Sequence, residues 1–201
     1  KPTRTFKDRL TQVAMSPESG EEAAKLGAQM MAFNYKPMEV QKEEYEQYKV
    51  KYVECHGRNP RPLLLTDMCI CDSDASRAKE NSKYIANYLL SVLHHYDLMG
   101  DHYKNAKGYE AYGDAVDALR ETGKEGMMEA YVEGQIWGTP DQMLKKFEAR
   151  KKEMGQTDCL MAFRFAGIDS KTAQRSQKLF AEEVMPVLKS WEDDDAAEKA
   201  A

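Results

Sequence analysis

The sequence predicts an α/β protein built on a parallel sheet, and three observations carry that expectation. Short apolar runs alternate with helical patterns, the order expected of βα units. The runs are mostly unalternating, as in strands covered on both faces. The helical segments open on Ser, Thr or Asp and several stop at Gly, the usual chemistry of helix ends.

Four runs read as strands: residues 9–15 (RLTQVAM), 28–33 (AQMMAF), 62–71 (PLLLTDMCIC) and 159–165 (CLMAFRF). The first helix, ESGEEAAKLG, stops at Gly27, and the second, MEVQKEEYEQYKVKYVECHG, is long, charged and ends at Gly57. The third, DASRAKENSKYIANYLLSVLHHY, starts at an Asp/Ser cap and places Ile85, Leu89, Val92 and Tyr96 on one stripe. The fourth has Thr139 as cap, Pro140 at its first position and Gly155 as stop. The last aligns Ala173, Gln177, Phe180 and Val184, and Pro186 inside it predicts a kink or a loosened final turn.

Between His102 and Gln135 the rhythm breaks. Gly108, Gly113, Gly123, Gly126 and Gly134 are spread among Tyr and charged residues without an apolar period. Residues 103–134 therefore read as a lid-like insertion before the last strand, with a short helix around Tyr112–Glu121. The acidic end, residues 191–201, reads as disordered, and residues 1–190 as the folded domain.

The length of 201 residues suits one sizeable domain. A net charge of −5 offers no basic surplus for a nucleic-acid backbone, and no apolar run reaches the length of a membrane span. Cys55, Cys69, Cys71 and Cys159 lack paired metal spacing, so they read as reduced thiols of a cytoplasmic protein with no metal site. His94 and His95 are adjacent on a helix and so do not share a face. Asp72 and Asp74 lie at the end of a strand, where barrels keep their chemistry, but CDSDAS also reads as a plain cap turn, the favoured reading.

The stretch AMSPESGEEAAKLG carries the one candidate site. A Ser oxygen can cap the free N–H groups of a helix start, Pro17 suits the first helical position, and Ser19 with Glu22 fits a capping box. The same N–H groups and the positive helix end attract phosphate. Capping is the commoner of the two, and both readings stand on this stretch.

Three segments, VAMSPESGEEAAKLGAQMMAF, GTPDQMLKKFEARKKEMGQTDCLMAFRFAGID and SQKLFAEEVMPVLK, together resemble the C-terminal half of the bacterial luciferase-like flavin-dependent monooxygenases over most of residues 9–190. The resemblance implies a TIM-type (β/α)8 barrel, of which about four βα units, strands five to eight, are present. It implies reduced FMN as cofactor, or a deazaflavin as in one branch, and O2 and a small organic molecule as substrates. Ser16 and Ser19 match the family's phosphate-turn positions, and Val13 and Met15 match residues lining the flavin. With the resemblance, the phosphate reading overtakes the capping reading, although both can hold at once. Met15 stands where luciferase itself has an acidic residue, a departure from that member. The implied partners are a flavin reductase and either a second copy or the other barrel half, since four units leave sheet edges unpaired. The alternative is a non-catalytic half-barrel that binds flavin or dimerises. No catalytic residue is assigned in this half.

Overall fold

The computed structural model describes residues 3–97, 100 and 123–191. Along the chain lie β1 (Thr11–Val13), α1 (Pro17–Leu26), β2 (Gln29–Phe33), α2 (Met38–His56), β3 (Leu63–Cys71), α3 (Ala75–Asn81), α4 (Lys83–His95), α5 (Lys124–Gly134), β4 (Ile136–Gly138), α6 (Pro140–Met154), β5 (Thr157–Ala162) and α7 (Ser170–Leu179). A π-helical turn, Phe180–Val184, follows α7, and α-helix resumes over 185–191. The pairs β1–β2, β2–β3 and β3–β4 are parallel, and β5 also pairs with β3. The expected parallel α/β sheet is therefore present. Among the described residues, no helix is long and apolar enough to cross a membrane.

The chain divides into two compact units, and the division falls within β3 between Asp67 and Met68. In the first unit, the register Thr11↔Gln29, Met31↔Leu64 and Ala32↔Leu65 fixes which side chains share a face. Ala14, Met30, Ala32, Leu63 and Leu65 pack against Ala23 and Ala24 of α1 and Tyr45, Tyr48 and Tyr52 of α2. Alanines on α1 leave room for the tyrosine rings. Leaving a buried phenol unpartnered would cost on the order of 1–3 kcal/mol. Two of the three are satisfied by backbone: Tyr48 Oη donates to the Ala28 carbonyl at 2.8 Å and Tyr45 Oη to the Arg61 carbonyl at 3.2 Å.

The opposite face of β1 and β2 is open. Val13 is 45% exposed and Phe33 36%, and Leu160 of β5 is 49% exposed. Cover on both faces, expected for every strand, thus holds for β3, which is buried at every position but Leu64, and fails for β1 and β5.

In the second unit, successive residues of β3 point to opposite sides. Cys69 and Cys71 join Ile136, Met143, Phe147, Phe180 and Val184, while Met68 and Ile70 join Ile85, with Tyr131, Val132 and Trp137 packed alongside. The β4 strand, Ile-Trp-Gly, was not anticipated, because three residues carry too little pattern to register as a strand.

Several boundaries differ from expectation. The last strand runs Thr157–Ala162 instead of 159–165, and β1 is three residues long. The single helix expected after Asp74 is broken at Ser82, whose Oγ donates back to the Lys79 carbonyl at 2.8 Å, a bond that competes with the helical ladder. Leu93 takes the buried position expected of Tyr96, which is exposed. In α7, Gln177 is exposed and Ser176 is buried instead, with Oγ accepting from the Cys71 amide at 2.7 Å. The disturbance expected from Pro186 takes the form of the π turn, where the Met185 amide reaches back to the Phe180 carbonyl. Pro186 has no N–H to continue an α ladder, so a widened turn ahead of it relieves the clash with the preceding carbonyls.

Trp191, expected in the disordered end, is helical and packs against the Phe180–Val184 cluster; residues 192–201 lie outside the described residues. The short helix expected at Tyr112–Glu121 also lies outside them. Of the 103–134 segment, residues 123–134 are described, and 124–134 form α5.

Candidate functional site

β1 ends at Val13 and α1 begins at Pro17, so the chain reverses over Ala14, Met15 and Ser16. Ser16 is the N-cap, extended at φ −137° and ψ 160°, and Pro17 occupies the first helical position, where no N–H is needed. The Ser19 amide donates to Ser16 Oγ at 3.3 Å. In return, Ser19 Oγ accepts from the Ser16 amide at 3.0 Å and the Met15 amide at 3.1 Å, and donates to the Ser16 carbonyl at 2.9 Å. This is a capping box in which Ser19 itself plays the part expected of Glu22. Both hydroxyls are half-buried and 3.1 Å apart. Since Ser19 Oγ already has three partners, the Ser16 O–H is the donor of the pair that can turn to a ligand.

Val13 lies on the open face of β1, in register with Met31. Met15 is half-buried, leans on the first unit's core, and its Sδ accepts weakly from the Phe33 amide at 3.5 Å. The structure thus brings Met15, Ser16 and Ser19 into one turn, and Val13 two residues before it on the strand.

A lysine from the next loop reaches the same turn, and the sequence reading missed it. Lys36 Nζ donates to the Met15 carbonyl at 2.9 Å and to Glu44 Oε1 at 2.5 Å. Its side chain is 20% exposed and that of Glu44 15%, so water screens this pair less than a surface one. Nothing in the one-dimensional pattern sets Lys36 apart from the many solvated lysines nearby.

Behind the turn lies a buried polar chain in the same unit. Gln41 Nε2 bonds the Lys36 carbonyl and Asn34 Oδ1, both at 2.9 Å, and Asn34 Nδ2 donates to Asp67 Oδ1 at 2.8 Å. Arg150 closes the chain with two bonds to the Asp67 carboxylate. Burial works against the Arg150 charge, but the Asp67 carboxylate outweighs it and holds the guanidinium above its ordinary pKa.

Asp72 and Asp74 show the cap chemistry that was favoured for them. Asp74 Oδ1 accepts from the Ser76 and Arg77 amides at the start of α3, and Asp72 accepts from Arg77 and the Asp74 amide. Partial burial opposes ionisation of Asp72, and the Arg77 bonds override it, holding its carboxyl below the usual range. His94 and His95 are exposed at the end of α4.

No family model matches this chain, and no curated protein matches it in sequence. Its fold does match solved structures. The oxygenating constituent of 3,6-diketocamphane monooxygenase from Pseudomonas putida, in complex with FMN, is 15% identical at a TM-score of 0.60, over 88% of this chain and 47% of that one. An EDTA monooxygenase from Chelativorans sp. BNC1 is 14% identical at 0.63, over 90% and 44%. The coenzyme F420 dependent tetrahydromethanopterin reductase from Methanopyrus kandleri is 18% identical at 0.55, over 87% and 49%. The chain spans about half the length of these solved chains. At such identities the likeness is one of fold. The βα units of this chain form part of a TIM-type (β/α)8 barrel, the architecture seen in the luciferase-like monooxygenases.

Proposed function

We propose that this chain is the C-terminal half of a luciferase-like flavin-dependent monooxygenase, an oxidoreductase that uses reduced flavin and O2 to oxidise a small organic molecule. The observation that carries the reading is the Ser16–Ser19 turn. It sits at the C-terminal end of a parallel strand, the end where barrels bind ligands, and it opens a helix whose dipole favours an anion. The Ser16 hydroxyl fits a phosphate oxygen as a donor, so the turn suits a phosphorylated flavin. FMN is the cofactor we assign to it, with a deazaflavin as the alternative that the fold likeness to the Methanopyrus enzyme supports.

When bound, the flavin supplies the redox chemistry with oxygen. This chain's part is to hold and orient it. The Ser16 hydroxyl would donate to the phosphate and Ser19 would hold the turn in shape around it, while Val13 and Met15 flank that turn on the strand side. The edge of β1, unpaired among the described residues, supports pairing with strands that complete the barrel, from the same protein or from a companion chain, which would also cover the face that exposes Val13 and Phe33. A flavin reductase would supply the reduced cofactor. The test is oxygen uptake by the complete protein with reduced FMN and candidate organic substrates. Uptake matched by oxidised product supports the reading. Uptake no faster than that of free reduced flavin, with no product from any substrate, overturns it in favour of a non-catalytic flavin-binding half-barrel.

A further inference from the structure

A carbonyl of the turn that would receive the phosphate, and a carboxylate of α2 joined to it through one lysine, carry negative charge that works against an anion. The Met15 carbonyl, immediately before the Ser16 cap, presents the negative end of its dipole, and the Glu44 carboxylate lies within reach of the same ammonium that binds that carbonyl. Lys36 Nζ touches both, at 2.9 Å and 2.5 Å. The loop carrying Lys36 is held in turn by Gln41, whose amide bonds the Lys36 carbonyl and Asn34.

We infer that Lys36 is the positioning residue of the phosphate turn: one ammonium neutralises the Met15 carbonyl and Glu44 together and makes the turn acceptable to a dianion. This rests on the phosphate reading of Ser16 and Ser19. Without Lys36, a half-buried carboxylate would be left uncompensated and the carbonyl next to the Ser16 cap unbonded, in a place where water screens charge poorly. The cost falls on phosphorylated ligands, because an uncharged ligand of the same shape does not meet the repulsion.

The discriminating quantity is the ratio of FMN to riboflavin affinity, measured by fluorescence titration on the complete protein. Lys36→Met should lower that ratio about tenfold, the scale of one partly buried charge near a helix terminus. Lys36→Arg should keep most of it, and Lys36→Met with Glu44→Gln should recover part of it by removing the unpaired carboxylate. A merely structural lysine would weaken both ligands equally and leave the ratio unchanged, which overturns the inference, as does a double variant that recovers nothing. Ser16→Ala with Ser19→Ala separates this failure from that of the underlying reading. If the serine variant lowers the ratio and the Lys36 variants do not, Lys36 is wrong and the phosphate turn stands. If the wild type itself does not prefer FMN over riboflavin, the phosphate turn is wrong and Lys36 falls with it. Should Lys36→Met not fold, Lys36→Arg and the double variant decide the question.

Discussion

Arg150 and Asp67 meet inside the first unit as a two-bonded ion pair, NH1 to Oδ2 at 2.8 Å and NH2 to Oδ1 at 2.7 Å, with side chains 3% and 0% exposed. The pair ties the end of α6 to the middle of β3, and Asn34 fastens the β2 end to the same carboxylate. Removing one partner strands a buried charge. Arg150→Met should therefore cost about 3–5 kcal/mol in denaturant unfolding, the range for a broken buried pair. Adding Asp67→Asn should restore part of the loss. A single-variant loss below about 1 kcal/mol, the range of surface pairs, would show that water reaches the carboxylate.

The cysteines should differ sharply in reactivity. Cys69 and Cys71 are buried, and burial, aided by Asp72 and Glu183, pushes the Cys71 thiol up to about 12, whereas Cys55 is exposed. Thiolate is the reactive form, so an alkylating reagent at pH 8 should modify Cys55 in the native protein and spare Cys69 and Cys71 until it unfolds. Mass spectrometry of the labelled peptides checks this; native labelling of Cys71 would mean that β3 is not covered as described.

Asp72 sets an acid limit. Its carboxyl is held below the ordinary range of about 4. A depressed folded pKa gives stability that is present above the unfolded value and lost as pH falls through the lower folded value. The contribution is modest, because Arg77 is 57% exposed. The stability gap between wild type and Asp72→Asn, followed by thermal melts, should be constant near neutrality and close below about pH 4. A gap that persists unchanged into stronger acid would show that the Arg77 pair contributes nothing.

The order of βα units, the caps and the helix stops were legible in the sequence because each is local. Pro140, Gly155 and the Ser16 cap stand where short-range chemistry puts them. The tyrosine face of α2 was not. Tyr45, Tyr48 and Tyr52 sit among charges, and only the packed structure shows that their rings fill the core while the Tyr45 and Tyr48 hydroxyls bond the Arg61 and Ala28 carbonyls. The break at Ser82 was hidden for the opposite reason, since a single serine does not interrupt an apolar period. For the candidate site, Ser16 and Ser19 could be read from a turn motif and a resemblance. Lys36, Glu44 and the chain through Asn34 to Arg150 come from separate elements, and only the pairing of β1, β2 and β3 brings them together.

The central claim is that the Ser16–Ser19 turn holds a flavin phosphate, and an FMN titration of the complete protein tests it most directly. Replacing both serines with alanine removes the proposed charge-assisted bond from Ser16 and the Ser19 contacts that shape the turn, and should weaken FMN binding by about 1–3 kcal/mol. The lost cap should also lower unfolding stability by about 1 kcal/mol, measurable separately without ligand. Weakened FMN binding together with that modest loss is the result the account predicts. Unchanged FMN affinity beside the same loss of stability would contradict it, leaving Ser16 and Ser19 as a helix cap and nothing more.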